Sequence, residues 1–154
     1  MRPPLYDAAQ RARRDASGWT VVQGVLAPLQ FAVCIVSAVL VVRYLGTGEG
    51  ESLATASVVV KTLCLYAIML TGCAWEKVVF GRWLFAPAFF WEDVVSMLVL
   101  ALHTAYLIAL ATDALTVRER MGLALVAYAA YALNAAQFLL KLRAARLDRR
   151  LAAA

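Results

Sequence analysis

Near the middle of the chain three carboxylates, Glu76, Glu92 and Asp93, stand beside two cations, Lys77 and Arg82. Adjacent acids in apolar surroundings resist joint ionisation, which suits one of them to keep a proton near neutral pH and to donate it. The same charges also fit a plainer role, as interfacial ion pairs that orient a loop. The only histidine, His103, follows on the next helical stretch. At about 100° per residue, Glu92, Ser96, Val99, His103 and Tyr106 share an arc of about 80°, with His103 about 16 Å beyond Glu92 along the axis. A largely polar stripe of this kind in an apolar helix faces the interior of a bundle. A lone histidine is more often a satisfied core residue than a catalyst, and a single one excludes bis-histidine haem ligation within one chain.

Aromatic residues surround these charges. The segment from Trp75 to Asp93 contains Trp75, Phe80, Trp83, Phe85, Phe89, Phe90 and Trp91, and the fourth tryptophan is Trp19. Tryptophans at a membrane surface commonly form an aromatic belt. Belts decorate both interfaces, however, whereas the opposite side here carries mainly Tyr44. The asymmetry points to an aromatic-walled site opening toward one face, and such walls suit flat conjugated ligands that stack on π-faces.

The elements that must position these groups are apolar helices. The chain has 154 residues, 64% of them hydrophobic, and a mean hydropathy of +0.74. A fold this small has too much surface for its volume to hide that apolar area from water. Four stretches, about Gly24 to Tyr44, Leu53 to Ala74, Asp93 to Thr112 and Gly122 to Leu140, reach the roughly 20 residues that a membrane helix needs. Closed backbone hydrogen bonding in lipid requires helices. The expected fold is therefore all-α, one membrane domain over 1–154 with four transmembrane helices. Two short polar turns (Gly46 to Glu51, Asp113 to Arg120) and the long aromatic loop 75–92 connect them, with basic tails over 1–23 and 141–154.

Orientation follows from Lys and Arg. One side carries Arg2, Arg11, Arg13, Arg14, Lys77, Arg82, Lys141, Arg143, Arg146, Arg149 and Arg150, and the other only Arg43, Arg118 and Arg120. Both termini and the aromatic loop are then cytoplasmic, with the tails as short interfacial helices or partly disordered. The basic stretch before the first apolar run reads as a topology signal, because that run is as long as a span and too long for a cleaved leader. The net charge of +5 gathers at the chain ends without a nucleic-acid motif, so lipid headgroups rather than nucleic acid are its partners. Cys34, Cys64 and Cys73 have no C-x-x-C spacing and fall in or beside apolar runs, against a disulfide framework, a zinc site or a thiol oxidoreductase.

Further polar residues lie within the helices. Asn134, Gln137 and Lys141 follow helical spacing on the fourth, with Tyr128 and Tyr131 before them. Lys61, Thr62 and Tyr66 lie on the second, and Gln23, Gln30 and Ser37 recur by sevens on the first. Most of these suit interhelical hydrogen bonds worth on the order of 1 kcal/mol each. Lys61 and Lys141 are expected to snorkel toward opposite surfaces.

The stretch WEKVVFGRWLFAPAFFWEDVVSMLVLALHTAY, Trp75 to Tyr106, closely resembles the vinyl bacteriochlorophyllide hydratase family of bacteriochlorophyll synthesis. The resemblance extends to WTVVQGVLAPLQF (Trp19 to Phe31), RYLGTGEG (Arg43 to Gly50), YAIMLTG (Tyr66 to Gly72) and NAAQFLLKLRAARL (Asn134 to Leu147). It implies addition of water across the C3-vinyl group of a chlorophyllide-type magnesium tetrapyrrole, giving a 1-hydroxyethyl group, in a phototroph's cytoplasmic or intracytoplasmic membrane. No cofactor is implied, since the magnesium belongs to the substrate. A protein of this size is open to homo-oligomerisation or to association with other pigment-biosynthesis enzymes.

Within that reaction Glu92 is the first candidate for the general acid and Asp93 for its electrostatic partner or base. His103 is the alternative, as proton shuttle or as axial ligand to the substrate magnesium. Lys77, Arg82 and Lys141 are candidates for the substrate's propionate, and Trp75, Glu76, Trp83, Phe89, Trp91, Ser96, Tyr106 and Asn134 for the rest of the pocket. Two competing readings are a pigment carrier, with the same aromatic wall and no chemistry, and a small proton-coupled transporter. The transporter would need a carboxylate inside a membrane helix, and the first helix has none.

Overall fold

The computed structural model describes residues 4–152, with side chains through residue 147. It is all-helical, with five helices along the described residues: α1 (Ala8–Ala16), α2 (Gly18–Thr47), α3 (Glu51–Phe80), α4 (Phe90–Thr112) and α5 (Val117–Ala152). The last four are long and apolar enough to cross a membrane. Their outer faces expose large apolar side chains such as Val21, Leu70, Leu133 and Leu139, each about two-thirds exposed or more. The interior instead collects polar side chains, including Gln30, Ser37, Lys61, Thr62, Ser96, His103 and Asn134. That inversion fits lipid as the surrounding solvent.

α2 packs chiefly on α3 and α4 on α5, two antiparallel hairpins laid together. Small polar contacts join them. Ser37 meets both Ser57 (2.7 Å) and Tyr128 (2.6 Å), and Tyr66 meets Thr104 at 2.8 Å. Each such bond contributes about 0.6–1 kcal/mol between helices in lipid.

The helices overrun the apolar stretches that announce them. α3 continues through Trp75–Phe80, so the connection to α4 is only 81–89 and not the expected 75–92. It stops at Gly81, whose φ of 79° lies in the left-handed region open to glycine and whose N–H caps the Lys77 carbonyl at 3.0 Å. The C-terminal tail is no separate interfacial helix, because α5 runs unbroken from Val117 to Ala152. Hydropathy marks the lipid-facing length, whereas helical hydrogen bonding continues wherever propensity allows. Arg2 lies outside the described residues, as do the side chains of Arg149 and Arg150.

α1 is helical, one of the two forms expected of the N-terminal tail. Asp7 caps it in a reciprocal capping box with Gln10 (2.7 and 3.0 Å). It folds back onto α3. Arg13 donates from both Nε and Nη2 to the Val79 carbonyl, at 2.9 and 2.8 Å, satisfying an orphan acceptor at the end of that helix. Lys61 does not snorkel outward. It is fully buried, with Nζ 3.9 Å from the centroid of the Tyr131 ring, because its position turns toward α5 rather than toward lipid. Lys141 does not reach freely for the surface either, being held by Glu92.

Candidate active site

At one end of the bundle the last two turns of α3, the 81–89 loop, the first two turns of α4 and the stretch of α5 from Asn134 to Lys141 converge. Glu76 and Asp93, 4% and 6% exposed, bring their carboxyl groups within hydrogen-bonding reach of each other. The loop between them is threaded onto the pair. The Ala86 N–H donates to Glu76 Oε2 at 3.3 Å, and the Phe85 N–H donates to Asp93 Oδ2 at 2.9 Å. Phe85 has a φ of 57°, strained for a residue with a bulky side chain. The Asp93 bond holds it there.

Glu92, 7% exposed, faces away from this pair and toward α5, where Lys141 Nζ donates to its Oε2 at 2.5 Å. One turn deeper the same two helices are linked again. Asn134 Nδ2 donates to Ser96 Oγ at 2.6 Å, and Ser96 in turn donates to the Glu92 carbonyl at 2.8 Å. Glu92, Ser96, Val99, His103 and Tyr106 are all buried along α4.

An aromatic cluster packs at the same end, with the Phe89 ring centroid 5.0 Å from Lys141 Nζ. Phe89 is buried, stacked on Phe138 (5.7 Å, 23°) and edge-on to Trp75 and Phe80. Tyr6 stacks on Phe80, and the Trp75 Nε1–H donates to Thr20 Oγ1 at 3.0 Å. The amino-terminal segment thus closes one side of the site.

The chain meets a family pattern over most of its length. The family model for 2-vinyl bacteriochlorophyllide hydratase matches residues 6–144. The chain belongs to the 2-vinyl bacteriochlorophyllide hydratase family. A relative of that name from Cereibacter sphaeroides is 64% identical over 144 residues, covering 94% of this chain and 89% of the relative. Another of the same name, from Rhodobacter capsulatus, is 62% identical over 147 residues, covering 96% and 85%. No solved structure matches the chain.

In this hydratase-family chain the structure brings together Trp75, Glu76, Phe89, Glu92, Asp93, Ser96, Asn134 and Lys141. It leaves Lys77, Arg82, Trp83 and Trp91 on the outside of the same end, Trp83 and Trp91 being 62% and 69% exposed. Lys77 donates to the Gly81 carbonyl at 3.0 Å and stands 5.9 Å from the Trp83 ring centroid. His103 and Tyr106 lie deeper. His103 Nδ1 meets the Val99 carbonyl at 2.8 Å, and Nε2 has no hydrogen-bond partner. Among the described residues no cluster of three or more His, Cys, Asp or Glu could hold a metal ion. The three cysteines are free.

Sequence reasoning passed over Tyr6, Arg13, Thr20 and Phe138, whose contacts span long stretches of chain and leave no local pattern. Gln137 is visible in the Asn134, Gln137, Lys141 spacing only as one of the polar residues suited to interhelical hydrogen bonds.

Proposed function

We propose that the protein is an integral membrane hydro-lyase that adds water to the vinyl group of a chlorophyllide-type magnesium tetrapyrrole, leaving a 1-hydroxyethyl group. The observation that carries this is the family match over 6–144 with relatives more than 60% identical under that name. The paired acids and the aromatic cluster at the same end supply a chemistry that suits it. Both termini and the 81–89 loop face the cytoplasm of a phototroph's cytoplasmic or intracytoplasmic membrane, on the strength of the Lys and Arg gathered at that end. The whole chain acts as one membrane domain, with no cofactor beyond the magnesium that the substrate brings.

The macrocycle rests against the exposed aromatics of the loop, Trp83 and Phe85, and of the start of α4, Phe90 and Trp91, with its propionate toward Lys77 or Arg82. Hydration begins when a proton moves to the terminal vinyl carbon, converting CH2 to CH3 and leaving a cation on the carbon beside the conjugated ring. Water attacks that carbon and then loses one proton. An acid, an anion near the cation and a base are needed.

Glu76 is the acid in this scheme, displacing Glu92. Two carboxyl groups in hydrogen-bonding reach hold one proton between them, because like charges resist joint ionisation. Helix ends decide where it sits. Glu76 lies immediately before the last turn of α3, toward the negative end of that dipole, and Asp93 in the first turn of α4, at a positive end. The proton therefore belongs to Glu76 and the anion to Asp93, which stabilises the cation. Glu92, matched by Lys141, is the base. It takes the proton released by the attacking water and passes it back through solvent to the acid pair. His103, about 15 Å deeper than Asp93, is assigned no step.

The test is incubation of detergent-purified protein with chlorophyllide a, then extraction and chromatography. A more polar pigment, heavier by one water, supports the hydratase. Pigment that co-purifies unchanged, with chlorin and bacteriochlorin substrates alike, would make the protein a carrier instead.

A further inference from the structure

A hydratase must hold water as carefully as it holds pigment, and two buried acceptors on the stretch of α5 that is bonded to α4 lack donors. Asn134 is 8% exposed. Its amide orientation follows from its neighbours: the single Ser96 hydroxyl proton goes to the Glu92 carbonyl, so only the Asn134 NH2 can meet Ser96 Oγ. Asn134 Oδ1 is thereby turned away from Ser96, buried and without a donor. Gln137 Oε1 is likewise buried without a donor. Both residues belong to α5, three positions apart, hence neighbours on one face. That face is pinned to α4 on either side of Gln137, by Asn134–Ser96 and by Lys141–Glu92.

Buried carbonyl oxygens rarely go unpaired, and the cost of leaving one so is about 1–3 kcal/mol. A water molecule supplies two donors to two acceptors.

We propose that Asn134 Oδ1 and Gln137 Oε1 hold the nucleophilic water of the reaction. The proposal rests on the hydratase reading above. With both hydrogens engaged, the oxygen lone pair points out of the cradle toward the substrate cation. The C–O bond forms from that lone pair; the resulting oxonium carries the same two hydrogens, and one of them then swings from its amide oxygen to the Glu92 carboxylate, which Lys141 holds one turn from Gln137. Amide oxygens suit this task because they orient water without taking its proton. Asn134 and Gln137 touch the reacting water directly, so a change there alters which nucleophile enters as well as how fast.

The experiment measures Gln137→Met and Asn134→Leu, singly and together, against chlorophyllide a. Each removes the acceptor at nearly constant side-chain size. Turnover is expressed per pigment-loaded protein, and a second series contains methanol, which would give the 1-methoxyethyl ether. Each single variant is expected to lose at least about 10-fold in hydration and the pair about 100-fold or more, in line with the cost of misplacing a reacting group. The ether-to-alcohol ratio is expected to rise severalfold, because the cradle no longer favours two-donor water over one-donor methanol.

That ratio is independent of how much protein folds. Should Asn134→Leu fail to fold, Gln137→Met at its half-buried position decides alone. Hydration within about threefold of the parent, or an unchanged ratio, overturns the water site, since misplacing a reacting group costs far more than that. A parent protein that never hydrates pigment would instead defeat the hydratase reading itself, so the two failures are distinguishable.

Discussion

Replacing Glu76 by Gln separates the proton from the geometry that holds it. The introduced amide reproduces the protonated carboxyl: its NH2 donates to Asp93 as the acid proton does, and its oxygen still accepts from the Ala86 N–H that Glu76 now takes at 3.3 Å. Asp93 keeps its own bond to Phe85 at 2.9 Å, so the strained loop stays in place. What disappears is a transferable proton. General acid catalysis contributes about 10²–10⁴-fold, which at 1.36 kcal/mol per tenfold is about 2.7–5.4 kcal/mol on the barrier. The structural cost is small, since one hydrogen bond to a carboxylate replaces another, and thermal unfolding in detergent should move by less than about 1 kcal/mol equivalent. The assay is chlorophyllide hydration per pigment-loaded protein, with unfolding followed in parallel. A variant that is stable, loads pigment and hydrates it within about threefold of the parent would refute Glu76 as the acid, because that loss is far below the general-acid contribution. One that is inactive only because it is unfolded or empty of pigment would show the pair to be structural.

Three further changes probe the supports. Lys141→Met leaves the buried Glu92 carboxylate without its cation, and because the lysine side chain is 28% exposed the cost is reduced to about 1–3 kcal/mol; an unfolding midpoint unaffected by the change would mean that the ion pair contributes nothing. Arg13→Ala removes both bonds to the Val79 carbonyl and should loosen α1, read as faster proteolysis within 4–17, with an unaltered rate counting against the strap. Lys61→Met removes a fully buried ammonium whose contact with the Tyr131 ring, about 2 kcal/mol when desolvated, falls short of the several kcal/mol that burying an ion costs. That variant should be as stable as the parent or more so, and a clear loss of stability would reveal a partner for the charge.

The helices and the buried α4 stripe were legible because hydropathy and a 3.6-residue period are local properties. Their ends were less so. The charges of Trp75–Phe80 broke the apolar run, yet nothing before Gly81 breaks a helix. Lys61 misled for a related reason: its type argues for a surface, and only the packing of α3 against α5 turns it inward. Tyr6 and Arg13 close the site through contacts far apart in sequence, which no spacing rule encodes.

The acids show where local reading fails most instructively. Glu92 and Asp93 are adjacent in sequence, and adjacency suggested a coupled pair. On a helix, however, neighbouring positions point about 100° apart and do not face each other. Asp93 accordingly turns to α3 and meets Glu76, while Glu92 turns to α5 and meets Lys141. The hydrogen-bonded pair of acids is built across two helix ends, beside the charge of Glu92, and the connection that closes it is the short loop carrying Phe85 and Ala86. Because that loop also presents the exposed aromatics proposed to hold the pigment, a substrate that presses on Phe85 pulls on the same hydrogen bond that sets Asp93 against Glu76. The strained residue is then where pigment binding and proton placement meet. Substituting Phe85 with Gly, which adopts its φ without cost, should retain the acid pair yet weaken pigment loading, and a variant that loads pigment as well as the parent in a co-purification assay would remove Phe85 from the binding surface.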